Sequence, residues 1–187
     1  YTWDWERYDR ATETISLPVE AVLGQVRAKP PRNVVITGGE PLLQRRQLVP
    51  FATALRAEGY RVEVETNGTV APGELGELVD QWNVSPKLAH SGNEGLRRFE
   101  AAALRAFAAC ERANFKLVVQ QPSDLAEVEA LAHEYGIPAA RILLMPEGRS
   151  GAELAGRSAW VAEACAARGY RFTSRLHILL WGDKRGV

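Results

Sequence analysis

The chain has 187 residues, 46% of them hydrophobic and 25% charged, and its 23 Lys+Arg balance 23 Asp+Glu. This length and apolar content suit one domain over 1-187 with a substantial core, and they exclude a disordered chain, which needs low hydrophobicity and high net charge. Zero net charge argues against a broad nucleic-acid footprint. No apolar run reaches the ~20 residues of a membrane span and no secretory signal opens the chain, so a cytoplasmic protein is expected. Two cysteines, Cys110 and Cys165, make neither a disulfide framework nor a four-ligand zinc site. The sole methionine is Met145, so the sequence does not begin at an initiator and reads as the remainder of a longer chain.

Short β-branched runs alternate with segments of helical period. Val34-Val35-Ile36 is the first strand and ends in Thr37-Gly38-Gly39-Glu40-Pro41. A helix is predicted from about Arg46 to Glu58, with Leu48, Phe51, Ala52 and Leu55 on one stripe and Gly59 as its C-terminal cap. Arg61 to Glu65 alternates as a strand and closes on Thr66-Asn67-Gly68. A helix from Pro72 to Asp80 follows, then a short strand Trp82-Asn83-Val84 running into Ser85-Pro86-Lys87. A loop over Ala89 to Gly95 leads to a long amphipathic helix, Leu96 to Arg112. Phe115 to Val119 is a strand, and Ser123 or Asp124 caps a helix to Tyr135. Ile142 to Met145 is a strand ending at Pro146-Glu147-Gly148. A helix from Ala152 to Arg168 is capped by Gly169, and Tyr170-Arg171-Phe172 and an apolar strand from Leu176 to Leu180 close the chain.

This β/α alternation, repeated five or six times, implies parallel strands with right-handed crossovers. A doubly wound open sheet and a full or partial β/α barrel both satisfy it, and in either the ligand sits beyond the carboxyl ends of the strands. Each strand end carries polar groups beside a Gly or Pro. Turn formation alone asks for such residues, but their recurrence at every strand end favours a common ligand-binding rim. Thr37 to Pro41 is the most informative segment. Its two glycines let backbone approach a ligand closely, and Glu40 offers a carboxylate to an amino group. The patterns of a phosphate loop and of a dinucleotide fingerprint are both missing there. Glu63 and Glu65 share one strand face, with Glu65 nearer the turn. Lys87 follows a Pro that fixes the backbone and could meet a carboxylate. His133 reads as a surface residue, His177 as a core or rim histidine, and Cys110 and Cys165 as buried helix cysteines. Tyr1-Thr2-Trp3-Asp4-Trp5 is a dense aromatic patch that calls for packing.

Taken together, Thr37-Gly38-Gly39-Glu40-Pro41-Leu42-Leu43-Gln44, Glu65-Thr66-Asn67-Gly68-Thr69, Asn83-Val84-Ser85-Pro86-Lys87, the Trp-Asp-Trp opening and the tail from Leu176 to Val187 resemble the 7-carboxy-7-deazaguanine synthase family of radical S-adenosylmethionine (SAM) enzymes. The resemblance spans almost the whole chain in order. It implies a partial (β/α) barrel of about six parallel strands with helices outside. It also implies SAM, a 4Fe-4S cluster and Mg2+, and conversion of 6-carboxy-5,6,7,8-tetrahydropterin to 7-carboxy-7-deazaguanine with loss of ammonia, in queuosine-type biosynthesis. Gly38, Gly39, Glu40 and Pro41 would then bind the methionine end of SAM. Ser85, Pro86 and Lys87 would line the same site, with Met145, Pro146, Glu147 and Gly148 as a further contact loop. Thr37, Glu65 and Val187 would contact the pterin, Glu65 through its N–H-rich edge. A homodimer and an electron donor such as flavodoxin or ferredoxin are the implied partners.

One departure stands out. The family's Cys-x-x-x-Cys-x-x-Cys cluster loop, and the threonine beside it that ligates Mg2+, are absent from the sequence, and Cys110 and Cys165 cannot replace clustered thiolates. The loop is expected upstream of Tyr1. Two other readings share part of the pattern: another radical SAM enzyme such as a glycyl-radical activase, and a non-catalytic SAM- or pterin-binding domain.

Overall fold

Strict period-two alternation gives each central strand two unlike edges of side chains, and the fold is built on that difference. The computed structural model describes residues 9–92 and 98–184. The expectations that fall on Tyr1 to Trp5, on residues 93–97 and on Val187 lie outside the described residues. Two helices, α1 (Arg10–Glu13) and α2 (Val19–Arg27), precede β1 (Asn33–Ile36). There follow α3 (Arg45–Ala57), β2 (Arg61–Thr66), β3 (Gln81–Val84), α4 (Ala101–Ala109), β4 (Ala113–Val119), α5 (Asp124–Tyr135), β5 (Ile142–Pro146), α6 (Gly151–Arg168), β6 (Arg171–Phe172) and α7 (Leu176–Trp181).

All six strands are parallel, and their order across the sheet is their order in the chain. Right-handed crossovers that never reverse direction deliver the connecting helices to one side, and a twisted sheet so covered curls around its other face. A doubly wound sheet would need a reversal of order. The sequential order therefore selects the partial barrel of the two architectures the sequence allows.

The helix-facing side is the core. Val62, Val64, Trp82, Val84, Phe115, Leu117, Ile142 and Leu144 from the strands meet Ala52, Leu55, Leu104, Phe107, Val128 and Val161 from the helices. Trp82 and Phe107 are in tilted contact, with ring centroids 5.2 Å apart. The opposite face carries Glu63, Glu65, Asn83, Lys116 and Met145, all half-buried. Its lower part is a satisfied polar ladder. Arg61 Nε donates to Glu63 Oε1 at 3.1 Å, Arg61 Nη2 to Gln81 Oε1 at 2.8 Å, and Gln81 Nε2 to Asn83 Oδ1 at 3.0 Å.

Several elements differ from expectation for identifiable reasons. α2 was hidden by its short length, although Val19, Val22, Leu23 and Val26 follow helical spacing and pack on the core. Pro72 to Asp80 holds only a 3-10 turn, Gly73–Glu77, because two glycines within nine residues weaken a full helix. Within the span Leu96 to Arg112 expected as one helix, the described residues form α4 over Ala101–Ala109, where the side chain of Glu100 accepts from the Ala103 N–H as its N-cap. Ser123 makes no side-chain cap on α5. Instead the buried Asp124 accepts from the N–H groups of Gln120 (2.7 Å) and Gln121 (3.1 Å). The segment Leu176 to Leu180 is helix and not strand: a short apolar run is ambiguous in period, and only Ile178 of it is buried.

Phe107→Ala removes the ring that fills the space above Trp82 and is expected to destabilise the fold by about 3–5 kcal/mol. Chemical denaturation measures this directly, and a loss under about 1 kcal/mol would show that α4 does not close the core.

Candidate functional site

The carboxyl ends of the strands gather at one rim, and the first of them is organised by Glu40. Residues Thr37 to Gly39 are exposed. Gly38 has φ +152°, and a Cβ placed on Gly38 or Gly39 would meet nothing within 4 Å, so both face open space. Glu40 turns the other way. Its Oε1 accepts from the Leu42 N–H (3.0 Å), which caps the 3-10 turn Pro41–Gln44. Its Oε2 accepts from the Thr66 hydroxyl (2.9 Å) and the Asn67 N–H (2.8 Å). The carboxylate expected to be offered outright to a ligand thus joins the ends of β1 and β2. A carboxylate has about four acceptor sites, and each oxygen of this one has two contacts within the protein, the Thr66 hydroxyl being shared between them at 3.0 and 2.9 Å. Beyond the joint, Gly68 sits at φ +80° with a would-be Cβ only 3.1 Å from Leu104 Cδ2 and 3.2 Å from Val84 Cγ1, so a side chain there meets both strain and packing.

Thr37 and Glu65, read separately from the sequence, are brought together. Thr37 Oγ1 donates to Glu65 Oε2 at 3.4 Å. Lys116 Nζ donates to Glu65 Oε1 at 3.2 Å, reaching from β4 across the intervening β3. Lys116 was not among the sequence candidates. Its strand parity places it on the inner face, but its partner lies 51 residues away in the chain.

At the end of β3, the Ser85 N–H donates to the Thr66 carbonyl at 2.8 Å and Pro86 is buried. The backbone of Lys87 is held from both sides. Its N–H donates to the Arg98 carbonyl at 3.0 Å, and its own carbonyl accepts from Arg98 Nε at 3.1 Å. Arg98 in turn pairs with Glu127, whose other oxygen accepts from the Ala89 N–H at 2.9 Å. The Lys87 side chain is half-buried. Burial pushes its pKa below the usual lysine value. Lys116 and Arg175 push the same way, against the pull of Glu65.

The β5 end divides its residues. Met145 lies on the inner face, while Pro146 and Gly148 are buried. The Glu147 carboxylate pairs with Arg157 of α6 at 3.0 Å, so it stabilises the loop instead of standing free on the rim. Gly148 packs under α6, with a would-be Cβ 2.9 Å from Leu154 Cδ2, and its carbonyl accepts from Arg175 Nη1 at 2.7 Å. His177 is exposed on α7, which removes it from the core-or-rim role expected for it. His133 is exposed on α5. Cys165 is a buried thiol on α6 whose pKa burial raises, whereas Cys110 is half-buried and follows α4 as its C-cap, outside the helix expected to hold it. Among the described residues no group of three or more His, Cys, Asp or Glu could hold a metal ion. No helix among them is long and apolar enough to cross a membrane.

The depressed pKa of Lys87 has a sign. A lysine whose pKa is lower folded than unfolded costs stability wherever the unfolded chain is protonated, and the cost is relieved as pH rises from the folded toward the unfolded value. Lys87→Met is therefore expected to raise the melting temperature at neutral pH, by about 2–4 °C for each kcal/mol recovered. The gain should shrink as pH rises towards the ordinary lysine range. A melting temperature that falls at pH 7 would show that the ammonium stabilises the unliganded rim.

Comparison with known proteins follows the same lines. No protein-family model matches the chain. The chain is 39% identical to the 7-carboxy-7-deazaguanine synthase of Pyrobaculum aerophilum over 189 aligned positions, which cover all of the chain and 79% of that protein. It is 35% identical to the 7-carboxy-7-deazaguanine synthase of Halobacterium salinarum, over 97% of the chain and 78% of the relative. With that of Rhodopirellula baltica it shares 30% identity over 90% of the chain and 69% of the relative. Identity of this extent, carried on a sequentially ordered parallel sheet, makes the chain a member of the 7-carboxy-7-deazaguanine synthase family and an enzyme of that kind, serving 7-deazaguanine biosynthesis.

Proposed function

We propose that the enzyme contracts the ring of 6-carboxy-5,6,7,8-tetrahydropterin to 7-carboxy-7-deazaguanine with release of ammonia. The reaction loses one ammonia and involves no net oxidation, so its atoms and electrons balance without a further co-reactant. The observation that carries the reading is Glu65. Its side chain keeps 42% exposure at the rim while Thr37 and Lys116 fix its two oxygens. A carboxylate so oriented suits the N–H-rich edge of a pterin, where two parallel charge-assisted hydrogen bonds form. Thr37 holds Glu65 and contacts the same ring, and Val187 is a third pterin contact by resemblance.

SAM fits the residues of the rim. Gly38 and Gly39 leave open space in front of the backbone, which suits close approach of its methionine end. Glu40 supplies negative charge beside that space for its ammonium group. Lys87, with Ser85 and Pro86 beneath it, supplies positive charge for its carboxylate, and Pro41, Met145, Pro146, Glu147 and Gly148 shape the flanks. When bound and reduced, SAM supplies a radical that removes a hydrogen from the substrate. The 4Fe-4S cluster and Mg2+ find no fitting donor set among the described residues. Homodimerisation, an electron donor of the flavodoxin or ferredoxin type and a cytoplasmic location complete the reading.

Anaerobic reconstitution of the full-length protein, carrying the cysteine loop expected upstream of Tyr1, with iron and sulfide, followed by incubation with SAM, reductant and 6-carboxytetrahydropterin, tests the proposal. Mass spectrometry is expected to find 7-carboxy-7-deazaguanine and ammonia in equal amounts. Formation of 5′-deoxyadenosine without the deazaguanine would overturn the substrate assignment. Glu65→Gln is expected to lower kcat/KM at least 10-fold, since an amide replaces one of the charge-assisted acceptors with a donor.

A further inference from the structure

The Glu65–Lys116 pair has unused hydrogen-bonding capacity on both partners. Glu65 has about four acceptor sites, of which Thr37 and Lys116 engage one on each oxygen. The ammonium of Lys116 has three N–H donors, and its only partner among the described residues is Glu65. Two acceptor sites thus lie beside two donor sites at one place on the inner face. Lys116 is 25% exposed, against 42% for Glu65, so the cation is the deeper member of the pair.

A 2-amino-4-oxo pteridine presents a matching edge. Its 2-amino group and N3–H are adjacent donors, and the 4-oxo group beside them is an acceptor. Resting on the pterin reading above, we propose that Lys116 is the specificity-determining residue that donates to the 4-oxo oxygen while Glu65 accepts from the 2-amino and N3–H groups. The pair would then read three successive atoms of the ring, donor, donor, acceptor, and reject a ring whose third position is an amino group. Such a ring sets a donor against the ammonium, which has no acceptor to return, and turns a bare N3 lone pair toward Glu65, and a site built for a hydrogen bond discriminates strongly against an analogue that cannot make it. A lysine that only neutralised Glu65 would strengthen binding of both rings alike.

The test compares binding of pterin-6-carboxylate and 2,4-diaminopteridine-6-carboxylate, two fluorescent ligands that differ at position 4 and in the hydrogen on N3, and needs neither cofactor nor turnover. The wild-type protein is expected to prefer the 4-oxo ligand by about 10- to 100-fold. In Lys116→Met the preference should fall severalfold, to the part that the N3–H bond to Glu65 retains, chiefly through weaker binding of the 4-oxo ligand, and Lys116→Arg should restore it. Should Lys116→Met not melt like the wild type, Lys116→Gln serves, because an amide both donates and accepts and so tolerates either ring. A preference left unchanged in these variants, whatever happens to the absolute affinities, would overturn the role of Lys116 and leave the pterin reading standing. Failure of the wild-type protein to bind either ligand would overturn the pterin reading and the inference with it.

Discussion

Everything at the rim depends on a sheet whose two faces have opposite character. On β2, β3 and β4 the residues alternate between full burial under the helices and half-burial on the inner face. The apolar parity supplies the hydrophobic stabilisation and fixes strand register, because a slip of one residue would turn Val62 and Val64 inward and drive Glu63 and Glu65 into the core. The polar parity is left free for chemistry. Its lower rungs satisfy one another, as in Arg61, Glu63, Gln81 and Asn83. Only near the strand ends do groups with spare capacity appear. The polar floor and the working rim are successive rungs of one pattern.

The rim itself is held by side chains that a motif reading assigns to ligands. Glu40 and Glu147 each engage the protein: one joins the turn after β1 to the end of β2, the other fastens the β5 loop to α6. Arg98 and Glu127 do the same for the backbone of Lys87. A rim made of glycine, proline and short turns has little rigidity of its own, and these ties supply it without filling the open space before Gly38 and Gly39. The Lys87 side chain is the exception, since burial disfavours its charged form. Such an arrangement is characteristic of sites where stability is traded for function.

Much of this was legible in the sequence. The β/α alternation and the places where strands end follow from periodicity and from Gly and Pro, so Thr37, Glu40, Glu65, Lys87 and Glu147 could be picked out as rim residues. What was not legible follows from distance in the chain. Nothing local in Ala113–Val119 marks Lys116 as more than an alternating strand lysine, because its meaning comes from a carboxylate two strands away. Glu40 looks like a free carboxylate until the β2 end is folded against it. Ser150 and Glu153, spaced as Ser-x-x-Glu, form a capping box that starts α6 just ahead of the expected Ala152. α7 was ambiguous because six residues are too few to show a period.

The joint at Thr66 has a thermodynamic consequence. Its hydroxyl is anchored to Glu40, and its immediate neighbour in the strand is Glu65. A ligand that draws on Glu40 and another that draws on Glu65 therefore pull on consecutive residues of a single strand. Whatever order the first imposes on that strand the second no longer has to impose. By reciprocity, the gain each confers on the other is equal in free energy. Two molecules bound at this rim would be coupled through one peptide unit, without any movement of the sheet.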